Sequence, residues 1–153
     1  MAVTTQQIKD LRDQTGMSIA QCKKALEESG ADMALALESL KKQGVAIAAK
    51  KADRDLGAGV VRAYLHSNGT LGSLVEVHTE TDYVAKNEEL KSFADDIAMQ
   101  VAAAGPNDLE ELLAQPFIKN PGQTISDLVK EKIQKFGERI EIKRFSRFDS
   151  AKS

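Results

Sequence analysis

One cysteine is too few for an internal disulfide, and Cys22 with only His66 and His78 leaves almost no way to build a zinc site from cysteine and histidine. Long apolar runs are also missing: stretches such as Val45 to Ala49 fall far below the length that spans a bilayer. The opening residues Met1-Ala2-Val3-Thr4-Thr5 have no basic flank followed by an apolar run, so no signal peptide is expected. Neither sign of charge dominates. Lys plus Arg number 21 against 23 Asp plus Glu, a formal net charge of -2, so no overall basic field points to nucleic acid or to an acidic membrane. A cytoplasmic protein with neither partner is expected. What is present suffices for a buried core: 153 residues, 42% hydrophobic and 29% charged, fit one globular domain or two small ones.

Gly16, Gly30 and Gly44 recur at equal spacing, and each closes a stretch with helical punctuation. Thr4 with Gln7 and Ser18 with Gln21 have capping-box spacing, and Asp32 is placed to cap a third helix. Apolar residues at Ile8 and Leu11, at Ile19, Cys22, Ala25 and Leu26, and at Met33, Ala36, Leu37 and Leu40 give each helix one face to bury. The pattern predicts a three-helix bundle over residues 1–44. Residues 45–56, ending in the mixed-charge run Lys50-Lys51-Ala52-Asp53-Arg54-Asp55, read as an exposed linker.

From Gly59 the period changes to two. Val61, Ala63 and Leu65 alternate with Arg62, Tyr64 and His66, and Val75 and Val77 alternate with Glu76 and His78. Asn68-Gly69 between them predicts a tight hairpin turn with positive φ at both central residues. Leu90, Phe93, Ala94, Ile97, Ala98 and Val101 form the stripe of a helix that packs on the sheet. The three prolines, Pro106, Pro116 and Pro121, mark irregular chain around a brief helix at Asn107 to Ala114. Thr124 with Asp127 opens a further helix that Gly137 ends, and Glu138 to Phe148 reads as a strand returning to the hairpin, with a frayed end from Asp149. Residues 57–153 are thus expected to form an α+β core, a small antiparallel sheet of about three strands with helices on one face.

No phosphate loop, nucleophile elbow or His-Glu-x-x-His helix occurs, and neither an enzyme activity nor a cofactor is expected. Strand alternation through His78-Thr79-Glu80-Thr81-Asp82 would bring His78, Glu80 and Asp82 to one face as a metal site requires, but the solvated face of an edge strand explains the same pattern. Cys22 lies in an apolar stripe and reads as a buried filler rather than a reactive thiol.

Several segments, in order along the chain, carry a more specific signal. Thr15-Gly16-Met17-Ser18 with Cys22-Lys23-Lys24-Ala25-Leu26 resembles the N-terminal module of bacterial elongation factor Ts. Ala48-Ala49-Lys50-Lys51-Ala52 and then Glu76-Val77-His78-Thr79-Glu80-Thr81-Asp82-Tyr83-Val84-Ala85-Lys86-Asn87 resemble that family's linker and its Thr-Asp-Phe-Val signature. Gln115-Pro116-Phe117, and Gly137-Glu138-Arg139-Ile140 with Arg144-Phe145, continue the likeness nearly to the end of the chain. The resemblance implies a guanine-nucleotide exchange factor that acts on elongation factor Tu, with a bundle similar to a ubiquitin-associated domain. It further implies that Thr81, Asp82, Tyr83 and Val84 engage Tu and dislodge its magnesium ion. Lys23, Lys24, Lys50 and Lys51 lie on the family's motifs and are candidate contacts to Tu, although each taken singly reads as solvated surface charge.

Two features depart from the family pattern. Position 83 is Tyr where Phe is commoner, and its hydroxyl needs a partner if the ring is buried. Between Ala104 and Gln115 there is no room for the duplicated core unit or helical insertion of longer members, so a homodimer is expected to complete the working surface. By spacing alone, Asp82 would cap the next helix and Tyr83 would pack inside the lobe. Two other functions compete: a ubiquitin-associated-like module that binds a protein or peptide without exchange activity, and RNA binding through Lys143-Arg144-Phe145-Ser146-Arg147-Phe148, where basic and aromatic residues interleave. Divided by segment, the net charge is +1 for residues 1–55, -7 for 56–115 and +4 for 116–153. The acidic excess surrounds Asp82, where Glu80, Glu88 and Glu89 would add negative potential against a leaving nucleotide.

Overall fold

The computed structural model describes residues 2–151, which divide into two compact units. One comprises the chain up to Asp53 together with Lys130–Gly137; the other comprises Arg54–Val129 and the chain from Glu138 onward. No helix among the described residues is long and apolar enough to cross a membrane.

The first unit is built on α1 (Thr5–Thr15), α2 (Ile19–Glu28) and α3 (Met33–Lys51). Both predicted capping boxes form: Thr4 and Gln7 exchange backbone-to-side-chain hydrogen bonds at 3.0 and 3.1 Å, and Ser18 and Gln21 do so at 3.2 Å. Asp32 accepts the Leu35 N–H and caps α3. Leu11, Met17, Cys22, Ala25, Leu26, Ala36 and Leu40 form one buried cluster. Cys22 lies fully inside it, and burial pushes its thiol pKa up. Gly16 stops α1 in the left-handed conformation, φ 72°. Gly44 does not stop α3, and residues 45–51 of the segment read as a linker are the last two turns of this helix. Gly44 is buried, and a β-carbon there would stand 3.0 Å from Oε1 of Gln134 in the same unit. Its lack of a side chain serves close packing.

The second unit is α+β. Its central sheet has the order β1-β2-β5, all antiparallel, from Ala58–Leu65, Leu71–Thr79 and Ile140–Asp149. Strand β2, which contains His78 and was expected at a sheet edge, is the middle strand. The hairpin loop is also longer than the tight turn expected. Of Asn68 and Gly69 only the glycine has positive φ, 74°. Its N–H closes a turn onto the His66 carbonyl at 2.8 Å, while Asn68 Oδ1 accepts from Thr70 N–H and Oγ1. Beside this loop Asp149 pairs with Leu71 and Ser150 donates to the Thr70 carbonyl, so the predicted fraying does not begin at Asp149.

Helix α5 (Glu88–Ala104) lies across the sheet. It buries Leu90, Phe93, Ala94, Ile97, Ala98 and Val101, the predicted stripe, and Val75, Val77, Ile140 and Ile142 are buried on the strands. Ser73 Oγ donates to the Ala98 carbonyl and Arg147 Nε to the Ala102 carbonyl, both on the covered face. Arg62 also reaches α5, forming a two-pronged bond with Asp95 at 2.7 and 3.1 Å. After α6 (Leu109–Ala114) the proline-rich window forms a two-stranded ribbon, β3 (Pro116–Phe117) with β4 (Asn120–Thr124), where irregular chain was expected. Proline tolerates such short edges because no ladder hydrogen bond is asked of its nitrogen. Helix α7 (Ile125–Phe136) opens on a reciprocal Thr124–Asp127 box and stops at Gly137, φ 71°.

Candidate functional site

Between β2 and α5 the chain makes one short helix, α4 (Asp82–Ala85). Four residues cannot sustain a helix by their own hydrogen bonds, so its geometry depends on what holds its ends. Thr81 is the N-cap, in extended conformation, with Oγ1 accepting from Val84 N–H at 3.4 Å. Thr79 Oγ1 donates to the Thr81 carbonyl at 2.8 Å. On the inner side Val84 and Ala85 are buried and anchor the turn. At the far end the Asn87 side chain caps α5 by accepting from Glu89 and Leu90 N–H.

The exposed side of α4 carries Asp82 and Tyr83. The tyrosine is 84% exposed, the most exposed of the large apolar side chains among the described residues. Neither of the roles that spacing alone suggested is realised. Thr81, not Asp82, is the cap, and Tyr83 points away from its own core. Asp82 occupies the first turn, where a carboxylate interacts favourably with the helix N-terminus.

The structure brings Thr81, Asp82, Tyr83 and Val84 together as one element and separates the other candidates. His78 belongs to the sheet face away from α5, where its Nε2 meets Glu76 Oε2 at 2.6 Å. Strand β2 ends at Thr79, so the alternation that would align His78, Glu80 and Asp82 stops before it reaches them all. Glu80 bonds Arg54 at 3.4 Å and accepts the Arg139 backbone N–H. It is committed to this pairing and is not a free contributor of negative potential. Glu88, by contrast, has a side chain 91% exposed, within 3.5 Å of Lys91. Lys23 and Lys24 lie on the exposed side of α2, each 4.0 Å from a glutamate one turn on, Glu27 and Glu28. Lys50 and Lys51 end α3, in the unit that does not contain Thr81. The basic-aromatic tail is strand β5. There Arg144 pairs with Glu76 at 2.9 Å, and Arg147 is bound to the Ala102 carbonyl and Asp149.

Sequence reasoning missed Glu138 as part of this site. Its Oε1 accepts from Thr81 N–H at 3.1 Å and its Oε2 from Thr81 Oγ1 at 2.7 Å. Glu138 follows the glycine that ends α7, 57 residues from Thr81, and nothing in local periodicity announces the pairing.

The chain matches the family described as Elongation factor TS over residues 80–153, which begins at the turn just described. It is 43% identical over 192 residues to an elongation factor Ts of Carboxydothermus hydrogenoformans, covering 96% of this chain and 88% of that protein. It is 38% identical over 192 residues to one from Acetivibrio thermocellus, covering 96% and 89%, and 37% identical over 192 residues to one from Thermodesulfovibrio yellowstonii, covering 97% and 96%. These spans exceed the 153 residues of the chain, so the relatives carry residues within the matched region that it lacks. The relatives and the fold together define a translation elongation factor of α+β architecture. The chain belongs to the elongation factor Ts family.

Proposed function

We propose that this protein is the guanine-nucleotide exchange factor for elongation factor Tu, acting in the cytoplasm by binding Tu·GDP and stabilising nucleotide-free Tu until GTP enters. The observation that carries the reading is the presentation of Tyr83: a large ring, 84% exposed, on a helix whose inner residues Val84 and Ala85 are buried. An exposed aromatic on a rigid support loses little freedom when it docks and serves as an interface anchor. Beside it, Asp82 is a carboxylate that would compete for or repel the ligands of a magnesium ion, a cation that tolerates little departure from octahedral coordination. Thr81 and Val84 hold the two in place.

Exchange requires no bond to be made or broken by the factor. If it binds nucleotide-free Tu more tightly than Tu·GDP, linkage obliges it to weaken GDP by the same factor. Lys23, Lys24, Lys50 and Lys51 supply positive charge for secondary contacts to Tu, each contributing little alone. The alternative of a peptide-binding module without exchange activity gives no task to residues 80–153, the part of the chain that matches the family. The test is release of a fluorescent GDP analogue from Tu, which micromolar protein should accelerate.

The sheet face away from α5 supports a homodimer. Leu65 and Phe148 flank Gly72 in register and are 71% and 69% exposed, and Val61 and Leu74 extend the same apolar surface. Along one side run Glu76, His78 and Arg144, with Glu76 held below the usual carboxylate range by hydrogen bonds from Arg144 and then His78. An apolar centre with charges of both signs at its margin suits a twofold, self-complementary contact between two sheets. Light scattering should give a dimer for the native chain and a monomer for the Leu74→Lys/Phe148→Asp variant, with the far-UV circular dichroism unchanged. A native monomer at working concentration with full exchange activity would remove the dimer.

A further inference from the structure

The turn carrying Thr81 and the turn carrying Arg139 hold each other by reciprocal bonds. Glu138 accepts the Thr81 backbone N–H, and Glu80 accepts the Arg139 backbone N–H, so each turn gives one carboxylate to the other's main chain. Arg54 joins the clasp through its guanidinium to Glu80 at 3.4 Å and through its carbonyl, which accepts from Arg139 Nη1 at 2.7 Å.

The bonds to Thr81 are directional. An ionised carboxylate only accepts, so the Thr81 hydroxyl must send its hydrogen to Glu138 Oε2, 2.7 Å away. Its oxygen is then free to accept from Val84 N–H, the bond that caps α4. Glu138 therefore sets the hydroxyl orientation on which the cap depends, and the cap sets the direction in which Asp82 and Tyr83 project. A glutamine in its place keeps one acceptor and substitutes a donor for the other, which removes this constraint while preserving size.

We infer that Glu138 is a positioning residue for the Thr81–Val84 element: it aligns the side chains that enter the partner without entering it itself. The inference rests on the exchange reading above, and it separates two quantities that a direct contact would couple differently. A misaligned element lowers the maximal rate of GDP release at saturating protein. A lost contact to Tu raises the concentration needed for half-maximal effect.

The experiment uses the full chain with Tu loaded with a fluorescent GDP analogue, and fits maximal rate and half-saturating concentration for Glu138→Gln, Glu138→Ala, Thr81→Val, Thr81→Ser and the Glu138→Ala/Thr81→Val pair. Loss of the cap is expected to lower the maximal rate about tenfold in Glu138→Ala and in Thr81→Val, with half-saturation changed less than about twofold. Glu138→Gln should lie between these and the native protein, and Thr81→Ser, which keeps the hydroxyl and the N–H, should restore the native rate. The paired variant should be no slower than either single one, because both remove the same alignment. Amide hydrogen exchange at Val84 should speed up in Glu138→Ala while that of α5 does not. A native maximal rate in Glu138→Ala and Glu138→Gln, losses that multiply in the pair, or a shift confined to half-saturation would each overturn the positioning role alone. Failure of the native chain to accelerate release would overturn the exchange reading and this inference together.

Discussion

Replacing Tyr83 by alanine should slow stimulated GDP release by about 30-fold, the effect of an interface anchor contributing about 2 kcal/mol, while leaving the unfolding temperature of the free protein unchanged. The two halves of this expectation have one cause. The Tyr83 side chain is almost wholly exposed, so its removal takes no packing from the core. Surface substitutions of this kind alter stability by less than about 0.5 kcal/mol. Whatever selective value the ring has must therefore be realised against another molecule. Tyr83→Phe separates ring from hydroxyl: activity near native would mean that the hydroxyl stays in contact with water or finds a dispensable partner, and a loss as large as that of alanine would mean that it is bonded in the complex. Asp82→Ala should also slow release with the fold intact. If Tyr83→Ala and Asp82→Ala both behave as the native protein, the site lies elsewhere even if exchange is the function.

The opposite behaviour is expected of Phe93→Ala. Phe93 is 1% exposed, on the face of α5 that lies against the sheet. Truncating a buried phenylalanine removes its transfer free energy and leaves a cavity, a loss of about 3–5 kcal/mol. Domains of this size are stable by about 5–15 kcal/mol in total, so denaturant unfolding should show a large shift in midpoint. Stimulated release should fall only in proportion to the folded fraction, and cooling or a stabilising osmolyte should recover it. Recovery would distinguish a scaffold residue from one that touches the partner. Loss of release at temperatures where the variant is fully folded would show that the α5 core communicates with α4 in some further way.

Local chemistry made much of the fold legible. The Thr4–Gln7, Ser18–Gln21 and Thr124–Asp127 pairs are three residues apart, and in each the reciprocal bonds that the spacing allows are made. The stripe on α5 and the alternation of Val75 and Val77 are one-face patterns, and those faces are buried. Gly44 reads as a stop because a helix-stopping residue and a close-packing residue look the same in sequence; inside α3 a glycine costs about 1 kcal/mol relative to alanine, and here a β-carbon would stand only 3.0 Å from Oε1 of Gln134. The two-residue turn at Asn68-Gly69 gave way to a longer loop because Asn68 uses its side chain on Thr70 instead of adopting positive φ. In the candidate site, Thr81 to Val84 were legible as a motif, whereas the outward placement of Tyr83 and the bonds that Glu138 accepts from Thr81 show only in the folded chain. Glu138 lies beyond any local pattern, and only the pairing of β2 with β5 brings it to Thr81.

The most direct measurement follows fluorescent GDP leaving Tu by stopped flow, at fixed magnesium, with increasing amounts of the full chain and excess unlabelled GDP. Release is expected to accelerate with protein concentration and to approach a plateau once all Tu·GDP carries the factor, and the equilibrium affinity of Tu for GDP should fall by the ratio in which the factor prefers nucleotide-free Tu. A release rate that stays at the spontaneous value at micromolar protein would contradict the exchange function.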